Sequence, residues 1–252
     1  MDIESKNNKK IALVTGAAQG LGKAISLALA SRGITIVAAD INTQAVKALE
    51  KQLKDYTPGS MTIGIDVSEI QEVKEFVKSL ISRYGRIDIL VNNAGICPRT
   101  DFDRIEEEEW DRVLAINLKS VFFLSQSVMH YMKENRYGRI VNISSAAGKT
   151  GGLQVGAHYS ASKAAIICLT KTTALQGAKY GILCNAVCPG VINTEMTTAI
   201  SEQMSAGYLD RIPLGRIGTA DDIAGAVTFL VSGTGDYITG EILDVNGGFI
   251  MD

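Results

Sequence analysis

Ile11-Ala12-Leu13-Val14-Thr15-Gly16-Ala17-Ala18-Gln19-Gly20-Leu21-Gly22 is the stretch that decides the fold. Its first five residues carry no alternation of polarity, which marks a strand covered on both faces. Three glycines follow, and from Leu21 to Arg32 the pattern is helical. Strand, glycine turn and helix together open a βαβ unit. The glycines let the backbone turn sharply and approach a pyrophosphate, whose charge then meets the positive end of the helix dipole. The spacing departs from the common G-x-G-x-x-G, and a tight βα turn without a ligand is the plainer alternative.

Working outward, the same alternation continues along the chain. Strands are expected at Ile34–Ala39, Met61–Ile65, Ile87–Val91, Arg139–Ile143, Leu183–Val187 and Ile242–Val245. Helices are expected near Thr43–Leu53, Ile70–Tyr84, Glu107–Asn135, Tyr159–Tyr180 and Ala220–Val231. Such a series predicts an α/β fold with a doubly wound parallel sheet flanked by helices. No linker, repeat or low-complexity tract divides residues 1–252, which read as a single domain. The irregular stretch at about 190–214 is too long for an ordinary connection and reads as a substrate lid.

Composition excludes several classes of function. With 25 Lys+Arg against 27 Asp+Glu, the chain has no basic excess to favour nucleic acid or an anionic membrane. Met1 to Lys10 is polar, without an apolar run suited to a signal peptide or membrane span, so a cytoplasmic protein is expected. Cys97, Cys168, Cys184 and Cys188 form no CxxC pair and, with two histidines, no plausible zinc site, so no metal is expected. Cys168 and Cys184 read as buried small hydrophobes.

Chemistry first shows at Tyr159-Ser160-Ala161-Ser162-Lys163. Residues four apart share a helix face, so Lys163 is placed to depress the pKa of Tyr159. Bringing a phenol from ~10 to ~7–8 takes roughly 3–4 kcal/mol of phenolate stabilisation, within reach of a cation and a positively charged cofactor ring. The product is a general acid/base for alcohol and ketone chemistry; the bland alternative is a half-buried aromatic beside a solvated amine. Asp40 closes the second strand, where a carboxylate can bond both ribose hydroxyls of an adenine nucleotide, or merely charge a helix start before Asn42. A 2′-phosphate ~4 Å from it would be repelled by roughly 1–4 kcal/mol. The neighbours Gln19 and Ile41 offer no compensating charge, which favours NAD over NADP. Asp66, followed by Val67, suits either the adenine amino group or a cap on the next helix.

Taken jointly, the Thr15–Gly22 loop, Asn92-Asn93-Ala94-Gly95, Asn117, Ile143-Ser144-Ser145, Tyr159-x-x-x-Lys163 and Pro189-Gly190 resemble the short-chain dehydrogenase/reductase family from Lys10 to Phe249. The resemblance implies a Rossmann-type sheet of seven strands, NAD(H) or NADP(H), no metal, and tetramers or dimers. It implies that Tyr159 is the acid/base, that Lys163 lowers its pKa and holds the nicotinamide ribose, and that Ser145 rather than Ser144 bonds the substrate oxygen. Asn117 would hold a water through its backbone carbonyl. Around the cofactor it implies Gly16, Gln19, Gly20, Leu21 and Gly22 at the pyrophosphate loop, with Asp40, Ile41, Asp66 and Val67 at the adenosine. Asn93, Ala94 and Gly95 would lie at the ribose, with Tyr159 and Lys163, and Pro189, Gly190, Ile192 and Thr194 at the carboxamide.

The substrate is expected to be a secondary alcohol or ketone, in a pocket of Pro98, Arg99, Gln154, Val155, His158 and the lid. The alternative is a 3-oxoacyl-carrier-protein reductase, which the chain resembles at Ile212-Pro213-Leu214-Gly215-Arg216 and Gly247-Gly248-Phe249. Those reductases generally use NADPH and often carry a basic residue where Tyr180 stands, which weakens that alternative. A binding scaffold or redox sensor without catalysis is the third reading. Glu106 to Glu109 read as a solvated helix start, and His158 as packing or a substrate contact. The apolar tail Phe249-Ile250-Met251 predicts burial against another subunit, hence a homotetramer, or else folding back on its own domain.

Overall fold

A computed structural model of the chain describes residues 9–152, 154–194, 207 and 209–251. Seven parallel strands form one sheet: β1 Ile11–Thr15, β2 Thr35–Asp40, β3 Met61–Gly64, β4 Ile89–Asn92, β5 Gly138–Ile143, β6 Ile182–Pro189 and β7 Ile242–Val245. Their spatial order is β3-β2-β1-β4-β5-β6-β7. The order reverses between β1 and β4, and ligands of such sheets bind at the carboxyl ends of the strands flanking that point.

The helices are α1 Gly20–Ala30, α2 Thr43–Tyr56, α3 Ile70–Tyr84, α4 Glu107–Leu114, α5 Ser120–Asn135, the short α6 Ala147–Thr150, α7 Ala157–Gly177 and α8 Ala220–Val231. Alternate residues of each strand feed two cores, because successive side chains point to opposite faces. Val14 and Ile36 meet Ile25 and Leu29 of α1 and Val227 of α8 on one side. Leu13 and Val37 meet Val77 and Leu80 of α3 and Leu124 and Val128 of α5 on the other. This explains the unbroken apolar runs: β1 and β5 are buried throughout, whereas the edge strands β3 and β7 are only partly so.

The helix expected over Glu107–Asn135 is broken. A π-helical turn, Ala115–Lys119, separates α4 from α5, with the Ser120 N–H reaching back to the Ala115 carbonyl. Such turns gather at functional sites, and this one contains Asn117. Cys184 is buried, and that burial pushes its thiol up to about 12. Cys168 corrects expectation: it is exposed on α7, because the helix turns that position away from both cores. Residues 195–206 and 208 of the expected lid lie outside the described residues. Among the described residues no helix is long and apolar enough to cross a membrane.

Candidate active site

The loop after β1 needs its glycines. Gly16 and Gly20 adopt left-handed backbone, φ 62° and 51°, and a Cβ on Gly22 would fall 2.1 Å from the Gly16 carbonyl oxygen. Gln19 caps α1 and Gly20 opens it, and Leu21 packs on the core. Asn93 Nδ2 donates to the Thr15 and Gly16 carbonyls at 2.9 and 3.0 Å. The Asn93 and Ala94 amides both donate to Thr15 Oγ1 at 3.1 Å. The Asn92–Gly95 segment therefore braces the glycine loop from the neighbouring strand.

Asp40 is fixed by backbone: Oδ2 accepts the Ala18 N–H and Oδ1 the Asn42 N–H, each at 2.9 Å. The helix cap is instead Asn42, whose Oδ1 accepts the Ala45 N–H, so Asp40 stands beside the loop with lone pairs to spare. Ile41 is exposed. Asp66 Oδ1 accepts both the amide and the hydroxyl of Ser68, at 2.9 and 2.7 Å, and so shapes the turn into α3. Val67 buries its side chain in the core, leaving its backbone as the part available to a nucleotide. Across the crevice, the Gly190 N–H donates to the Val245 carbonyl, Pro189 O accepts the Ala146 N–H, and Ile192 bridges to Gly218. A cavity of about 620 Å3 joins Thr194 and Asn193 to Gly20 and Lys23 and runs on along α1 to Ser31 and Tyr56, apart from Tyr159 and Lys163. Left-handed glycines, a helix N-terminus and a carboxylate at the end of β2 fit a dinucleotide with free ribose hydroxyls.

Tyr159 and Lys163 lie on α7 beside these strand ends. Lys163 Nζ donates to the Ile143 carbonyl at 2.8 Å and sits 5.7 Å from the Tyr159 ring centroid. Only 4% exposed, it has its pKa lowered by burial to about 8. Burial, with the Cys97 thiol second, pushes the Tyr159 phenol well above its ordinary value, against the contribution of the Ser145 hydroxyl bonded to it. The lowering expected from Lys163 is thus not produced by the side chains themselves, because desolvation of the phenolate outweighs the Ser145 bond.

The two serines divide sharply. Ser144 Oγ donates to the Lys163 carbonyl at 2.8 Å and is buried. Ser145 Oγ accepts the Ala147 N–H at 3.1 Å and reaches the phenol. Asn117, fully buried, uses its side chain rather than only its carbonyl: Oδ1 accepts the Ile96 N–H, and Nδ2 donates to Ile96 O, both at 2.9 Å, and to Ser162 Oγ. A Cβ on Gly95 would lie 3.2 Å from Asn117 Oδ1 and 3.6 Å from Lys163 Nζ.

Two residues escaped the sequence reading. Cys97 lies beside the phenol and Lys163, and burial pushes its thiol up; its place directly after the Asn92–Gly95 motif and Ile96 was the available signal. Glu109, taken as part of a solvated run, accepts the Thr100 hydroxyl at 2.7 Å and approaches His158. His158 in turn is fully buried and does not line an open pocket, unlike the exposed Arg99 and Gln154. Around Tyr180, Lys133 and Lys179 hold their ammonium groups 5.2 and 5.1 Å from the ring centroid, and Arg136 donates to the Lys179 carbonyl. The apolar tail partly folds back: Arg211 stacks on Phe249 and Asn246 donates to Ile250 O, while Met251 stays exposed.

With this sheet order, glycine loop and Ser145-Tyr159-Lys163 cluster, the chain belongs to the short-chain dehydrogenase/reductase family, and it is an oxidoreductase of that type using a nicotinamide cofactor. The matching family model, described as "Enoyl-(Acyl carrier protein) reductase", covers residues 16–250. The chain is 41% identical over 243 residues to the 3-oxoacyl-(acyl-carrier-protein) reductase FabG of Thermotoga maritima, covering 96% of this chain and 98% of that one. It is 43% identical to the FabG of Escherichia coli over the same shares, and 42% to that of Staphylococcus epidermidis, covering 96% and 99%.

Proposed function

We propose that the protein reduces the 3-oxo group of an acyl thioester to the 3-hydroxy group, with NADH as reductant. The observation that carries this reading is the likeness to the FabG reductases, at 41–43% identity over 96% of this chain and 98% of each relative. It displaces the general secondary-alcohol dehydrogenase expected from the sequence, which would share the same machinery.

The bound dinucleotide supplies the hydride. The chain's residues do the rest. Ser145 Oγ and Tyr159 Oη converge on the ketone oxygen, and the phenol gives it a proton as the carbon is reduced. Lys163, held by the Ile143 carbonyl, presents its ammonium to the ribose hydroxyls and offsets the phenolate that forms. Asn117 fixes the Ile96–Cys97 loop over the tyrosine, and residues 190–214 serve as the lid.

The cofactor preference rests on Asp40, which the Ala18 and Asn42 amides hold beside the loop. Assays of a 3-oxoacyl thioester against polyols, hydroxy acids and steroids, each with NADH or NAD and with NADPH or NADP, test the whole reading. The thioester should give the highest kcat/KM, NADH should exceed NADPH, and Asp40→Ala should narrow that gap. A polyol or hydroxy acid turned over faster than the thioester returns the protein to the dehydrogenase class; NADPH equal to NADH refutes the reading of Asp40.

A cytoplasmic homotetramer completes the proposal. Leu175 on α7, Phe122 on α5 and Phe229 on α8 expose apolar surface, and Met251 does so at the tail. Burying each large side chain is worth roughly 1.5–3 kcal/mol. Light scattering should give four copies, and truncation after Gly248 should weaken assembly; a stable, active monomer at micromolar concentration refutes it.

A further inference from the structure

His158 immediately precedes the tyrosine and is fully buried. Its Nδ1 accepts the Tyr159 backbone N–H at 3.0 Å. That amide lies in the first turn of α7, after the Gly156 cap, where backbone donors have no partner within the helix. Accepting at Nδ1 leaves the proton of a neutral ring on Nε2, and Nε2 lies 3.2 Å from Glu109 Oε1. The contact is electrostatic rather than an aligned hydrogen bond. The same carboxylate takes the Thr100 hydroxyl at 2.7 and 3.0 Å, and Trp110 stacks on the imidazole at 6.3 Å and 25°.

Three segments therefore meet on one ring. The Gly156 N–H donates to the Pro98 carbonyl at 2.9 Å, and a Cβ on Gly156 would come within 2.2 Å of His158 Cε1, so the loop and the helix start are closely fitted around it. The loop from Ile96 to Thr100 carries Cys97 against the phenol and is held at its other end by Asn117. Asn117 thus fixes one end of the segment covering Tyr159, and His158 with Glu109 fixes the other.

We propose that His158 is a positioning residue for Tyr159, a reading that rests on Tyr159 being the acid/base group. It ties the tyrosine's own amide to Glu109 and Thr100, and so sets where the phenol stands relative to the reacting oxygen. Its action should appear in kcat rather than in nucleotide binding.

The test compares His158→Ala, His158→Asn and Glu109→Gln with wild type for kcat, the KM of NADH and Tm, using a 3-oxoacyl thioester, with Tyr159→Phe run in parallel. His158→Ala should lower kcat about 10- to 100-fold, the cost of displacing a reacting group by up to about 1 Å, with KM for NADH within about twofold. His158→Asn puts an amide oxygen where Nδ1 stands but has nothing to reach Glu109, and should recover part of that loss. Glu109→Gln keeps an acceptor for Thr100 but removes the charge facing Nε2, and should lower kcat less than His158→Ala does.

A His158→Ala kcat within about twofold of wild type, or folded Asn and Ala variants of equal kcat, overturns the proposal. If His158→Ala does not fold, the other two decide: a lowered kcat at unchanged KM in Glu109→Gln, with a His158→Asn kcat no higher than that variant's, supports it, and wild-type kcat in Glu109→Gln overturns it. An active Tyr159→Phe sinks the acid/base reading itself, whereas an inactive Tyr159→Phe beside a fully active His158→Ala sinks only the positioning role.

Discussion

Tyr159→Phe is expected to lower kcat for ketone reduction by about 10²–10⁴-fold while leaving the Kd for NADH nearly unchanged. The substitution removes one oxygen and keeps the ring, which packs beside Lys163. On the proposed reading the lost oxygen is the proton donor to the substrate, and it lies beside Ser145 and Cys97. Steady-state kinetics with fluorescence titration of NADH separate the two effects. Retention of more than about a tenth of the wild-type kcat contradicts the assignment.

Lys163→Met carries the second large effect, and it runs in opposite directions for activity and stability. Activity should fall by about 100-fold or more, with weaker NADH binding, because the ammonium that would hold the ribose and offset the phenolate is gone. Stability depends on pH. Burial lowers the Lys163 pKa from 10.5 to about 8, so between those values the unfolded chain binds more protons than the folded one and stability rises with pH. Below about pH 8 the folded protein bears the full cost of the buried ammonium, on the order of 3 kcal/mol.

Methionine removes that cost but leaves the Ile143 carbonyl, 2.8 Å from Nζ in the native protein, without its donor. The orphaned carbonyl costs about 1–3 kcal/mol. The cofactor-free variant should therefore match or exceed wild-type Tm near pH 7, by roughly 2–4 °C for each net kcal/mol gained. It should fall below wild type near pH 10.5, once the native lysine has lost its proton. Thermal melts across this range decide the point, and a Tm difference independent of pH would refute the account of Lys163 as a destabilising buried cation.

The legible part of this protein was what local patterning controls. Strand–glycine–helix at Ile11–Arg32 and its repetition along the chain predicted the parallel doubly wound sheet. All seven strands appear, with ends displaced by no more than two residues. The joint motifs brought Asn117, Ser145, Tyr159 and Lys163 to one place, because the sheet gathers the carboxyl ends of its central strands there.

What stayed illegible depends on partners far away in sequence. Ser144 and Ser145 differ in their surroundings, Ser144 Oγ donating to the Lys163 carbonyl and Ser145 lying toward the phenol, which neighbours in sequence do not disclose. The π turn at Ala115–Lys119 accompanies the docking of Asn117 onto Ile96, 21 positions earlier. Glu109 left the solvated run because Thr100 and His158 approach it from other segments, and Cys168 is exposed because packing sets which face of α7 is covered.

Tyr159 shows the division most plainly. Its spacing from Lys163 was written in the chain, and spacing suggested a lowered pKa. The direction of the shift, however, is set by how much water the surrounding loops remove from the phenol, and desolvation is a property of the assembled site rather than of any pair of residues. Sequence determined which groups share the site and the order of strands that carries them; only the tertiary structure determined how far each is buried, and with it the direction in which its proton affinity moves.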